Sequence, residues 1–141
     1  MHDRVSHMFE TFEHTADIGL RARAHTLEEL FTDAARGLTS LLVEDPEAAG
    51  TEREATFHLE SNRLDDLLFD WLNELLYRFS VGGFVAVAYE LRVADNALDA
   101  TVRGGPFDRT TGRMEVKAIT YHGLLVENRD GEWLAEVILD I

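Results

Sequence analysis

Apolar residues recur along this chain in two periods, and the switches between them lay out its elements. Met8–Phe12 and Gly19–Ala24 alternate as strands do, separated by the polar run Glu13-His14-Thr15-Ala16-Asp17. Thr26-Leu27-Glu28-Glu29 then reads as a capping box, with the Thr hydroxyl placed to accept the amide three residues on. Behind it, Leu27, Leu30, Phe31, Ala34, Ala35, Leu38, Leu41 and Leu42 keep the spacing of a helix with one apolar face, ending before Asp45-Pro46. Pro46–Gly50 reads as a loop and Ala55–Leu59 as a strand with one covered face. The strongest helical pattern follows: Leu64, Leu67, Leu68, Trp71, Leu72, Leu75, Leu76 and Phe79 form a continuous stripe that Gly82-Gly83 ends. Burying such a stripe is worth on the order of 15 kcal/mol before conformational entropy is subtracted.

The rest of the chain is β. Phe84–Val93 and Ala97–Arg103 flank a turn at Ala94-Asp95-Asn96, and Gly104–Arg113 is a polar loop. Val116–Glu127 and Trp133–Ile141 flank Asn128-Arg129-Asp130-Gly131, where Asp-Gly marks a hairpin. Two amphipathic helices on a largely antiparallel sheet make an α+β, two-layer fold. Residues 1–141 fit one domain, with 1–7 a flexible lead-in.

Charge narrows the partners. Against 13 basic residues stand 27 acidic ones, a formal charge of −14. RNA or DNA would meet a like-charged surface, so direct nucleic-acid binding is not expected; a basic protein partner or bound cations suit the chain better. With no cysteine, thiolate metal sites and cysteine nucleophiles are excluded. The opening residues Met1–His7 lack the apolar core of a secretory signal, and no stretch has the length of a membrane span, so a cytoplasmic protein is expected.

Candidate chemistry concentrates at two places. His14 and Asp17 read as metal ligands, as an acid/base pair, or as a plain polar turn. Val137-Ile138-Leu139 is an apolar run that docks the following Asp140 and the α-carboxylate of Ile141. If that strand lies beside the Glu13–Gly19 segment, several oxygens converge, a donor set that suits a hard cation better than covalent chemistry. Thr120 and His122 approach the His14 segment if their strands are neighbours. Asp66, Asp70 and Glu74 form an acidic ridge at helical spacing, a solvated face or a receptor for a basic partner. There is no P-loop, dinucleotide fingerprint, H-E-x-x-H or G-x-S-x-G, which leaves an autonomous hydrolase without support.

Phe12–Ala22 (FEHTADIGLRA), Thr26–Leu38 (TLEELFTDAARGL), Asp66–Tyr77 (DLLFDWLNELLY), Glu115–Leu124 (EVKAITYHGL) and Trp133–Ile141 (WLAEVILDI) together resemble the archease family. The resemblance implies an accessory protein of the RtcB-type RNA-splicing ligase rather than an enzyme. Such a protein promotes guanylylation of the ligase and its repeated turnover in tRNA splicing or RNA repair. It also implies a divalent ion, usually calcium, held by the residues matching Asp17, Asp140 and Ile141. The chain departs from the family at Gly105, where a glutamate is common, and in a shorter loop before Met114. Two rival readings are a metal-dependent phosphohydrolase, which would turn over without a partner, and a passive acidic calcium-binding module.

Overall fold

The structure, a computed structural model, describes residues 8–14 and 17–141. Residues 1–7, expected as a lead-in, and Thr15 and Ala16 lie outside them. Eight strands and two helices follow in the order β1 (Met8–His14), β2 (Asp17–Ala24), α1 (Leu27–Leu42), β3 (Arg53–Glu60), α2 (Leu64–Gly82), β4 (Phe84–Ala94), β5 (Ala97–Pro106), β6 (Ala118–Ile119), β7 (Leu125–Arg129) and β8 (Glu132–Asp140). Short 3-10 turns occupy Pro46–Ala49 and Arg109–Thr111. Among these residues no helix is long and apolar enough to cross a membrane.

The α+β class stands, and every strand pairing is antiparallel. The strands divide, however, into two sheets. One runs β1-β2-β8-β6, with β7 also on β8, and the other runs β3-β5-β4. Each helix packs on strands of both. That arrangement explains why α1 is buried well beyond a single stripe: Asp33, Gly37 and Thr39 are enclosed along with Leu30, Phe31, Ala34, Ala35, Leu38, Leu41 and Leu42. In α2, Leu67, Leu68, Trp71, Leu72, Leu75 and Leu76 are buried as the pattern predicts, and Leu64 and Phe79 pack at its ends. Trp71 ties the helices together, its indole Nε1 donating to the Phe31 carbonyl at 3.0 Å and its ring edge-on to Phe57 of β3.

Local signals account for most boundaries. Thr26 Oγ1 accepts the Glu29 amide at 3.1 Å, and its own hydroxyl lies 3.3 Å from the Glu29 carboxylate. The capping box is therefore closed side chain to side chain. Gly83, at φ 65°, ends α2 in the left-handed conformation that favours glycine. Two-residue turns join β4 to β5 at Asp95-Asn96 and β7 to β8 at Asp130-Gly131, all four residues at positive φ.

One expected strand is broken. Val116–Glu127 alternates like a single strand, but only Ala118–Ile119 pair as β6 before Tyr121–Gly123 turn away and β7 resumes at Leu125. At the break Thr120 gives both its amide and its hydroxyl to the Ile138 carbonyl, at 3.0 and 2.9 Å. The expected loop from Gly104 likewise begins later, since β5 extends to Pro106. Gly105 has a steric reason: a Cβ there would lie 1.8 Å from the Ala49 carbonyl oxygen. No larger side chain fits in this arrangement.

Candidate metal centre

The hairpin β1–β2 and the strand β8 build the site. In register, His14 stands opposite Asp17, Asp17 opposite Asp140, and Asp140 opposite Ala118. Residues directly opposite share a sheet face, so neighbouring strands β2 and β8 carry two carboxylates, Asp17 and Asp140, in one row. Opposed Cβ atoms sit about 4.5–5.5 Å apart, close enough for both carboxylates to reach one ion. Both aspartates are half-buried, and Ile141, the residue after Asp140, is 36 % exposed.

The backbone under this row is held on both flanks. β2 pairs with β8 along one side, while on the other the Lys117 amide donates to the Asp140 carbonyl at 2.7 Å and Thr120 secures Ile138. Val137 and Leu139 anchor β8 from the opposite face, at 1 % and 0 % exposure. Alternation then turns Asp140 outward, onto the face it shares with Asp17.

The next row explains the glycine of the His14–Gly19 segment. Phe12 is opposite Gly19, and its ring lies where a Cβ on residue 19 would be, 2.1–2.4 Å away. The Arg21 guanidinium sits 4.8 Å from the centre of that ring and is held by Glu10 and Glu136, each at 2.6 Å. A framework of aromatic ring and ion pairs thus fixes the sheet surface beside the carboxylates. Its signal was in the sequence, as an aromatic and a glycine at hairpin-paired positions, but only the register makes it visible.

Chemically, the row fits a hard cation by donor type. Like charges placed directly opposite one another destabilise a sheet, and a divalent ion removes that penalty. As a donor set it is open: six to eight oxygens are needed, and among the described residues no three His, Asp or Glu side chains converge as a cage. The remaining oxygens must come from water or from a partner.

Other sequence candidates are distributed elsewhere. β6 joins β8 on the flank away from β2, so it is not a direct neighbour of β1. Tyr121 stacks on Phe69 of α2, ring centres 3.8 Å apart. The acidic ridge of α2 is partly used internally: Asp70 accepts the Ser61 hydroxyl at 2.7 Å and Glu74 faces Arg78 at 3.7 Å. Sequence reading missed His58, whose two ring nitrogens meet Asp99 and Glu60, each at 2.7 Å. Hydrogen bonds that it donates to Glu60 and then to Asp99 raise its pKa above the usual histidine value.

Comparison with known proteins agrees with the sequence motifs. Residues 9–141 match the model of the archease protein family (MTH1598/TM1083). Protein archease of Methanopyrus kandleri is 36% identical over 139 residues, covering 94% of this chain and 99% of its own. Protein archease of Archaeoglobus fulgidus is 35% identical over 136 residues, covering 94% and 98%. The solution structure of Methanobacterium thermoautotrophicum protein 1598 superposes with a TM-score of 0.79 at 32% identity, over 94% of this chain and 98% of that one. The crystal structure of an archease from Thermotoga maritima, described as a possible chaperone, shares the fold with a TM-score of 0.60 at 24% identity, over 96% and 98%. On the family model and these relatives, this chain belongs to the archease family.

Proposed function

We propose that this protein is an accessory factor of an RtcB-type RNA-splicing ligase, promoting guanylylation of the ligase and its repeated turnover in tRNA splicing or RNA repair. In this reading Asp17, Asp140 and Ile141 hold a divalent cation, calcium foremost. The observation that supports it most is the register of β2 on β8, which sets Asp17 opposite Asp140 in a chain of the archease family. When bound, the ion offsets the repulsion of the two carboxylates and leaves coordination positions for oxygens of another molecule. The chain's own residues do the rest. The clamp on residues 138–140 orients the carboxylates, and the framework of Phe12 and Arg21 keeps the neighbouring surface rigid. The charge of −14 favours docking on a basic protein surface over direct binding of RNA, and the reading places the protein in the cytoplasm.

The test is guanylylation of a purified RtcB-type ligase with labelled GTP, with and without this protein and with calcium, magnesium or chelator. Faster guanylylation and more than one ligation per ligase are expected, both reduced in Asp17→Asn and Asp140→Asn. Identical ligase kinetics with and without the protein would overturn the reading. Phosphate release by the protein alone would favour a hydrolase.

A further inference from the structure

At three places in this chain an arginine lies over an aromatic ring and reaches a carboxylate from there. Arg21 sits 4.8 Å from the centre of the Phe12 ring and pairs with Glu10 and Glu136, each at 2.6 Å. Arg36 sits 5.8 Å from the centre of Tyr89 and 3.4 Å from the Asp33 carboxylate. Arg78 sits 4.6 Å from the centre of Phe57 and 3.7 Å from Glu74. The physics is the same in each. The ring face attracts the cation, and a planar guanidinium over it keeps N–H groups for an anion.

A fourth place has the ring and the carboxylate without the arginine. Tyr121 stacks on Phe69 of α2, ring centres 3.8 Å apart and planes 14° from parallel, yet it is 61 % exposed. Phe69 takes one face of the ring and solvent the other. The backbone holds the ring in place: the Leu124 amide donates to the Tyr121 carbonyl at 3.2 Å, and Thr120 is fastened to Ile138. Among the described residues no arginine lies over Tyr121.

The carboxylate is Asp66, three residues before Phe69 and so its neighbour on the helix surface. The other acids of α2 are engaged, Asp65 by Arg63, Asp70 by Ser61 and Glu74 by Arg78. Asp66 makes no side-chain hydrogen bond or ion pair among the described residues. Tyr121 also follows closely on β6, whose Ala118 stands opposite Asp140. The open ring is therefore within a few residues of the carboxylate row, along one edge strand.

We propose that Tyr121 and Asp66 form a receptor for an arginine side chain of a protein partner, its guanidinium stacking on the open face of Tyr121 and bonding to Asp66. Arginine fits and lysine does not, because an ammonium is a point charge with no plane to lay on the ring. The surrounding charge of −14 draws such a cation in. That the partner is the ligase rests on the function proposed above; the receptor itself does not.

Two measurements keep these apart. In the first, acetyl-arginine amide is titrated while the ring protons of Tyr121 are followed by NMR, with acetyl-lysine amide alongside. Saturable shifts from the arginine probe are expected, weaker from lysine and weaker in Asp66→Asn. No shift at Tyr121, or equal shifts from both probes, overturns the proposal. The second measures association with the purified RtcB-type ligase. Tyr121→Leu and Asp66→Asn should each weaken it about threefold to thirtyfold, and together little more than one alone, since a single guanidinium bridges both. Tyr121→Phe retains the ring face and should bind as the wild type does. Tyr77→Leu, a tyrosine equally exposed at 62 %, is the control and should change nothing. Unweakened binding by Tyr121→Leu, or equal weakening by Tyr77→Leu, overturns the proposal. A ligase that binds neither wild type nor variants overturns the accessory reading instead, and the arginine probe then decides the receptor.

Discussion

Gly19 is the residue on which the least change has the most effect. Its missing Cβ makes room for Phe12, and Phe12 in turn seats Arg21. Gly19→Ala should cost about 1–3 kcal/mol in urea unfolding, typical of overpacking, and Phe12→Leu in the same chain should recover most of it. The opposed aspartates behave differently. In chelator, Asp140→Asn should be neutral or stabilising by a few tenths to about 1 kcal/mol, because it relieves like-charge pairing. With calcium the wild type should gain melting temperature while Asp17→Asn and Asp140→Asn gain none; equal gains in all three would remove these residues from the ion site. His58 gives a pH signature. Its folded pKa lies above the unfolded value, so its contribution is complete below about 6.5 and is lost as pH rises through the raised value. The imidazole shifts in an NMR titration should place it above 6.5, and Asp99→Asn should bring it down.

Trp71 is where the two helices and the small sheet meet, through Phe31, Phe57 and Tyr89. Trp71→Phe should lose about 2–3 kcal/mol, from the vacated volume and the missing indole hydrogen bond, read from the denaturation midpoint by circular dichroism. The helices themselves were legible because capping and period agree at each: Thr26 with Glu29, then the stripe; Gly83 after it. The hairpins at Asp95-Asn96 and Asp130-Gly131 were legible for the same reason, a turn chemistry matched to alternation on both sides. The break after Ile119 was not, because the alternation of Val116–Glu127 runs through it and only the long-range pairing of β6 and β7 with β8 shows it. Nor was the division into two sheets, since alternation tells which face of a strand is covered but not which strand lies beside it. Of the site, the donor types and the facing of β8 toward β2 were foreseeable from residues. The framework around Phe12 and the bracketing of His58 become visible only once register pairs Phe12 with Gly19 and His58 with Asp99.

Across the whole molecule the excess of acid is large and only partly answered by ion pairs such as those of Arg21 and Arg103. Raising sodium chloride from low to about 0.15 M should therefore raise the thermal midpoint, as the Debye length falls to about 8 Å. A flat dependence would mean the folded chain is no more strained by its charge than the unfolded one. One feature of the topology carries further. β8 is flanked by β2 on one side and by β6 and β7 on the other, yet it is the last strand in chain order. During synthesis the ribosome delivers the edge β1, its neighbour β2 and both helices long before the strand that joins them to β6 and β7. The small sheet β3-β5-β4 can form on the growing chain, whereas the large one waits for β8. Asp17 emerges early and meets Asp140 only then. A nascent chain cut short anywhere before β8 therefore lacks the large sheet's middle and one of its two opposed aspartates at once.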